Sequence, residues 1–172
     1  MPVVTCKERT KDDPDAQDVG WASNATEDQL YYPYVSSCVT VTLVFEKGLL
    51  GGHASQVTPD NKRQPDINLT DVINRMIDAA PDQSERGAFL KIYFYGTTDD
   101  GGWKLSEAEN LIAAKFGQPG GKTKYFGLTP VDIVFDTKSS KLFSVSRDKD
   151  VAKGAAQTIK DSKEFDTDAS YL

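Results

Sequence analysis

The sequence predicts an α+β fold, organised as a layered sheet or sandwich with two main helices. One observation is an alternation of side chains with a period of two over residues 38–45, which is typical of a β-strand. Another is the apolar spacing of amphipathic helices over residues 69–79 and 106–116. The third is a set of further β-prone runs, at residues 52–57, 90–95, 125–136 and 141–147. Along the chain these elements give the order β-β-α-β-α-β-β.

The first strands surround Cys38. Residues 31–35 are aromatic and β-prone, and they lead into a turn before this cysteine. The following strand should have two distinct faces, one with Val39, Val41, Leu43 and Phe45 and the other with Cys38, Thr40, Thr42 and Val44. Cys38 therefore shares a face with threonines rather than with the large apolar residues. The second strand is expected over residues 52–57, after a glycine turn, and should end at the turn cluster 58–61.

The helices and the last strands follow from local signals. The first helix is expected over residues 69–79 and should end near Ala80-Pro81. The second should begin with a capping box, in which Ser106 is the N-cap and Glu109 the third helical residue, and stop at Gly117. A strand over residues 125–136, with a break at Pro130 left open, should lead through a hairpin turn at 137–140 into a strand over 141–147.

Composition divides the chain into three parts. Residues 1–30 are polar and are expected to be weakly ordered or a surface loop, with Trp21 as an anchor to the domain. Residues 31–150 should form the α+β domain of catalytic type. Residues 151–172 should contain a short helix, over 151–161, and an acidic tail.

Charge and hydropathy restrict the partners and the location. The 172 residues carry a formal net charge of −6, which argues against nucleic acid or an anionic membrane as the main partner. No apolar run approaches the roughly 20 residues that a membrane-spanning helix needs. The N-terminus lacks the basic and then apolar pattern of a signal peptide. The expected location is cytoplasmic, or outside the cell through a secretion route that needs no signal peptide.

The two cysteines, Cys6 and Cys38, are too few for a disulfide framework and are expected to be free thiols. A zinc site is not expected, because one histidine and two widely spaced cysteines cannot complete a tetrahedral site without a carboxylate. Neither a metal nor a cofactor is therefore predicted.

Cys38 and His53, the only histidine, form the candidate catalytic pair. Two strands joined by a short turn would bring them to the same end of a sheet. A thiol needs a nearby base to react as a thiolate at neutral pH, and imidazole is the usual one. The pair predicts a cysteine hydrolase or deamidase. The alternatives left open are a buried structural thiol and an exposed turn histidine.

Three motifs resemble the chemoreceptor glutamine deamidase (CheD) family. They are Ser-Ser-Cys-Val-Thr-Val at 36–41, Gly-Gly-His-Ala-Ser-Gln-Val-Thr-Pro at 51–59 and Lys-Ile-Tyr-Phe-Tyr-Gly at 91–96. The resemblance covers about residues 35–147 and is stronger in topology than in identity. The family has glycine where this chain has Ser36, and its histidine stands at the position of Ser55. Deamidases of the cytotoxic necrotizing factor type have variable Cys–His spacing and are the nearer analogue, so the resemblance implies an effector or toxin.

The resemblance implies a protein glutamine deamidase with a Cys38–His53 dyad, a thioester intermediate, a glutamine side chain of a protein as substrate and no cofactor. Backbone N–H groups of Cys38 and of the turn containing Ser36 and Ser37 would hold the oxyanion. A further group must orient His53, and Thr40, Ser55, Gln56 or a backbone carbonyl could do so. The alternative function is a non-enzymatic acidic binding protein, such as an immunity or inhibitor protein. A Cys–His separation of about 3–4 Å would favour the enzyme.

Overall fold

The structure is a computed structural model and describes residues 2–96, 103–125, 131–146 and 162–164. These residues form ten strands and three helices: β1 (Val3–Thr5), β2 (Val19–Ser23), β3 (Gln29–Val35), β4 (Val39–Phe45), β5 (Gly48–Ala54), α1 (Pro65–Ala79), α2 (Gln83–Arg86), β6 (Phe89–Gly96), α3 (Leu105–Phe116), β7 (Gly121–Tyr125), β8 (Val131–Asp136), β9 (Leu142–Ser146) and β10 (Ser162–Glu164). The predicted α+β class is confirmed.

The strands form two sheets of five. One sheet has the order β1-β3-β8-β9-β10, and the other has the order β2-β5-β4-β6-β7. Pairing is antiparallel except for β1 with β3 and β6 with β7, which are parallel. We call the first of these the outer sheet. The second is the central sheet, because it lies between the outer sheet and helices α1 and α3, which cover its other face.

Apolar side chains fill the space on both faces of the central sheet. Between the two sheets, Leu30 and Phe135 of the outer sheet pack with Cys38, Val44 and Leu49. On the helical side the buried cluster contains Val39, Val41, Leu43, Phe45, Leu69, Ile73 and Ile112. The predicted alternation along β4 is therefore confirmed. Cys38 belongs to the layer between the sheets, and the large apolar face of β4 belongs to the helical layer.

The strand that carries His53 begins earlier than the sequence predicts. It spans Gly48–Ala54 rather than residues 52–57, and a two-residue turn joins it to β4, where Phe45 pairs with Gly48. The glycines that suggested a turn lie within the strand because other chain segments approach it closely. A Cβ atom on Gly51 would meet Tyr32 Oη at 2.6 Å, and one on Gly52 would meet Met76 Sδ at 2.5 Å.

The interpretation of residues 1–30 as a loop is wrong. This segment contributes β1 to the outer sheet and β2 to the central sheet. Cys6 and Ala22 are fully buried between the sheets, so the few apolar side chains of a polar segment suffice to tie it to the core. Trp21 packs edge-on against Phe45 with ring centroids 5.8 Å apart.

Both main helices form where the sequence predicts them, with different first residues. Helix α1 begins at Pro65, because proline is favoured in the first turn, where its missing N–H costs nothing. Helix α3 has Lys104 as its N-cap without a side-chain hydrogen bond, so the predicted capping box at Ser106 is wrong. Glu109 instead forms an ion pair with Lys122 at 3.0 Å. The predicted end at Gly117, which has φ of 88°, is confirmed.

The C-terminal part also departs from expectation. The second half of the strand predicted over 125–136 is β8 in the outer sheet, and Tyr125 ends β7, which lies beside β6 in the central sheet. Residues 126–130, with the break left open at Pro130, lie outside the described residues. The hairpin between β8 and β9 is confirmed. The predicted helix over 151–161 lies outside the described residues. Residues 162–164, expected in an acidic tail, pair with β9 as strand β10. Among the helices of the described residues, none is long and apolar enough to span a membrane.

Candidate active site

The pairing of β4 with β5 brings Cys38 and His53 together. Thr40 stands opposite His53 in this antiparallel pair, and Cys38 precedes Thr40 by two residues on the same face. The two candidate side chains are therefore diagonal neighbours, a relation that long side chains can bridge. The Cys38 Sγ atom lies 2.8 Å from His53 Nε2. Both residues are buried, with exposed fractions of 1% and 0%.

A backbone carbonyl fixes the orientation of the imidazole. His53 Nδ1 lies 2.9 Å from the carbonyl oxygen of Cys6. A carbonyl can only accept, so in the neutral ring Nδ1 carries the hydrogen and Nε2 presents its lone pair to the Cys38 thiol. Cys6 is itself held by its N–H, which donates to the carbonyl of Tyr31 at 2.8 Å. The backbone N–H of His53 donates to the carbonyl of Asp18 at 2.9 Å.

Glu8 is a third member of the site, and sequence reasoning missed it. A carboxylate oxygen of Glu8, Cys38 Sγ and a ring nitrogen of His53 all lie within 4.8 Å of one another. Glu8 is only partly buried and lies on irregular chain after β1. Its neighbours fix its place, since Lys7 N–H donates to Gln17 O at 2.8 Å and Arg9 Nε donates to Ala16 O at 3.1 Å. No local sequence pattern marks it, because no strand or helix period runs through this segment.

Burial sets the resting protonation states. Burial raises the pKa of the Cys38 thiol well above its usual value, and the negative charge of Glu8 adds to this effect. Hydrogen bonds from the backbone of Ser36 and of Cys38 itself oppose it. Burial also lowers the pKa of His53, although the charge of Glu8 and the hydrogen bond with Cys6 act in the opposite direction. The resting pair is accordingly a neutral thiol that donates to a neutral imidazole.

The irregular end of β3, which leads through the bend at Ser36 and Ser37 to Cys38, is anchored by the neighbouring strand β8. Tyr34 has φ of 52°, in the left-handed region that is unfavourable for a residue with a side chain. The buried Asp132 holds this conformation, because its carboxylate accepts from Tyr34 N–H at 2.8 Å and from the Tyr31 hydroxyl. The sulfur of Cys38 also lies 3.9 Å from the carbonyl oxygen of Tyr34. The outer sheet thereby fixes the backbone that delivers the thiol.

The other predicted site residues are placed around the pair in different roles. Ser36 and Ser37 form the bend between β3 and β4. Thr40 Oγ1 donates to the carbonyl of Tyr95 at 3.3 Å. The carbonyl oxygen of Ser55 accepts a hydrogen bond from Asn68 Nδ2 at 2.8 Å. The carbonyl oxygen of Gln56 accepts one from the backbone N–H of Gln64 at 3.0 Å. Among the four orienting groups left open, the group that contacts the imidazole is a backbone carbonyl.

A pocket of about 200 Å³ lies beside the imidazole, and His53 forms part of its wall. Its charged lining comes from Asp18, Arg75, Arg9 and Asp71. The Asp18 carboxylate is buried and accepts two hydrogen bonds from Arg75, at 2.6 and 3.2 Å. Arg9 Nε lies 3.5 Å from the same carboxylate. This network ties the N-terminal segment to helix α1 at the edge of the site.

No protein-family model matches the chain, and no curated protein matches it.

Proposed function

We propose that the protein is a cysteine-dependent amidohydrolase in which Cys38 and His53 form the catalytic dyad, and that its substrate is the side-chain amide of a protein glutamine. The observation that carries the proposal is the 2.8 Å contact between Cys38 Sγ and His53 Nε2, with His53 oriented through its other ring nitrogen. Nucleophile, base and orienting acceptor are thus in contact, the arrangement that thiol hydrolases require. The choice of glutamine rests on the motif resemblance at residues 36–41 and 51–59.

The proposed chemistry uses the groups already in contact. Cys38 sulfur attacks the carboxamide carbon while its proton passes to His53 Nε2. The C–N bond then breaks, and His53 returns the proton to the departing ammonia. Water hydrolyses the thioester, which regenerates the thiol and leaves a glutamate side chain. The backbone N–H groups of Ser36 and Cys38, whose hydrogen bonds act on the sulfur, are the proposed oxyanion donors.

We infer that movement of the Glu8 side chain gives access to the sulfur. Cys38 is 1% exposed, whereas Glu8 is partly exposed and next to it. Rotation of this side chain would leave both sheets and the hydrogen bonds of Lys7 and Arg9 in place. It would also remove a negative charge from the nucleophile, because Glu8 raises the pKa of Cys38.

The test is hydrolysis of glutamine amides by the purified protein under reducing conditions with a chelator. Wild-type protein should release ammonia from a Gln-containing dipeptide or unfolded casein and add about one dalton per event to the substrate. Cys38→Ser should abolish the release while changing the free energy of unfolding by no more than about 1–2 kcal/mol, because the hydroxyl can still donate to His53. Cys6→Ser is the matched control, since it keeps the carbonyl that orients the ring. Ammonia release that survives Cys38→Ser would refute the proposal.

The closure of the site favours a second candidate function, an acidic binding protein of the immunity or inhibitor kind. A binder needs no access to the thiol, and Cys38 and His53 are both sealed. In that case wild-type protein releases no ammonia from either substrate, and its biological effect persists in Cys38→Ser. The two functions therefore give opposite results for the same variant.

A further inference from the structure

We propose that Glu8, Cys38 and His53 together form a binding site for a zinc-class divalent transition metal ion. Their ligand atoms are one carboxylate oxygen, one sulfur and one ring nitrogen, all within 4.8 Å of one another. Such a mixed set suits Zn²⁺, which binds thiolate, imidazole and carboxylate ligands. The sequence predicts no zinc site because one histidine and two cysteines need a carboxylate to complete it, and the structure supplies that carboxylate in Glu8.

The imidazole is held as a metal ligand requires. A ligating histidine usually donates its other N–H to a carbonyl or a carboxylate, which fixes the ring and directs the free lone pair at the metal. His53 Nδ1 lies 2.9 Å from the Cys6 carbonyl oxygen, and Nε2 faces Cys38. The supporting contact is therefore present without any rearrangement of the ring.

The ligand spacing requires only a small adjustment. Zinc–ligand bonds of about 2.0–2.3 Å in a tetrahedron separate neighbouring ligand atoms by about 3.5 Å. The Cys38 Sγ–His53 Nε2 separation of 2.8 Å must therefore widen by less than about 1 Å when the ion binds. The Glu8 carboxylate completes a three-ligand site with one open position, and its partial exposure provides the route of entry.

Metal binding at this site exchanges a proton for the ion. The Cys38 thiol loses its proton to solvent as the sulfur–metal bond forms, and His53 binds through the lone pair of Nε2. The binding inference does not rest on the proposed function, because it is measured without turnover. Where the proposed function also holds, a bound ion occupies the sulfur and reversibly blocks the nucleophile.

The experiment is a titration of reduced, metal-free protein with Co²⁺ and then with Zn²⁺. Wild-type protein should bind one Co²⁺ and show a sulfur-to-cobalt charge-transfer band, which Zn²⁺ then displaces. Cys38→Ser should remove the band, and Glu8→Gln should weaken Zn²⁺ binding at least about tenfold in competition with a chromophoric chelator. The control is Glu107→Gln, an exposed glutamate in the first turn of α3 that lies outside the site. Circular dichroism confirms that each variant is folded.

Three results would overturn the site. These are the absence of the band in wild-type protein, a band that persists in Cys38→Ser, and Zn²⁺ affinity equal in Glu8→Gln and Glu107→Gln. Zn²⁺ should also protect Cys38, but not Cys6, from alkylation. Metal binding and ammonia release are measured separately. The experiments therefore distinguish an inactive protein that binds zinc from an active protein that does not.

Discussion

The Nδ1 atom of His53 lies 2.9 Å from the backbone carbonyl oxygen of Cys6, 47 residues earlier in the chain. The contact places the N-terminal segment inside the candidate site rather than beside it. Because the acceptor is a main-chain atom, the identity of residue 6 can change while the orientation of the ring is kept. The side chain of Cys6 is therefore a fair internal reference for the reactivity of Cys38.

The first prediction concerns the two thiols. In native protein with a chelator at pH 7, iodoacetamide should label Cys38 faster than Cys6. Burial raises the pKa of both thiols well above its usual value, but among the two only Cys38 donates to an imidazole that can accept its proton as the sulfur attacks. His53→Gln should slow labelling of Cys38 at least about tenfold, because the amide is not a base. Peptide mapping by mass spectrometry gives both rates in one sample.

The glutamine substitution is chosen because it fills most of the space of the ring. His53→Ala would leave a cavity that could admit the reagent and disguise the loss of the base. Equal labelling of the two cysteines, unaffected by His53→Gln, would show that Cys38 is an ordinary buried thiol.

The second prediction concerns stability against pH. Burial lowers the pKa of His53 below 6.5, although several groups act in the opposite direction, namely Glu8, the Cys6 carbonyl, Asp18 and Asp132. The unfolded chain therefore takes up a proton before the folded chain as pH falls. The stability that His53 contributes is fully present above pH 6.5 and is lost as pH falls through its folded pKa. In wild-type protein this loss cannot exceed about 1.4 kcal/mol per pH unit.

The measurement is urea unfolding between pH 5 and 8 with a chelator present. Comparison of wild-type protein with His53→Gln isolates the contribution of His53 to the free energy of unfolding. The carboxylates are present in both proteins. The difference between the two curves of unfolding free energy against pH therefore comes from His53 and from its interaction with the charge of Glu8. We expect the curve of the variant to be flatter below pH 6.5. Parallel curves would mean that His53 takes up its proton at the same pH in the folded and the unfolded protein, so that burial does not lower its pKa.

The sequence predicts that Cys38 and His53 lie at the same end of a sheet, and the register of β4 with β5 then brings them into contact. The period of two along β4 fixes the face of Cys38, and a short connection to the next strand brings His53 to the same end of the sheet. Glu8 and the Cys6 carbonyl could not be found in this way. They reach the site through the parallel pairing of β1 with β3 and the irregular chain that follows it. Such long-range placement leaves no periodic signal in a polar segment.

Gly51 and Gly52 show how a local signal can mislead. Paired glycines usually mark a turn, but here each lies in β5 because another element packs directly on the strand. One faces Tyr32 of the outer sheet, and the other faces Met76 of helix α1. The cause is tertiary packing, which the residues on either side of the glycines do not encode.

The last prediction follows from this packing. Gly52→Ala should lower the free energy of unfolding by about 1–3 kcal/mol, because the new Cβ would lie 2.5 Å from Met76 Sδ and 2.7 Å from Val72 Cγ1. Met76 has a flexible side chain, but the branched Val72 cannot turn away without shifting α1. The matched control is Gly121→Ala in β7, where the nearest atom would be 3.8 Å away, so stability should be unchanged or slightly higher. Urea unfolding measures both variants, and equal stabilities would show that α1 does not press on β5.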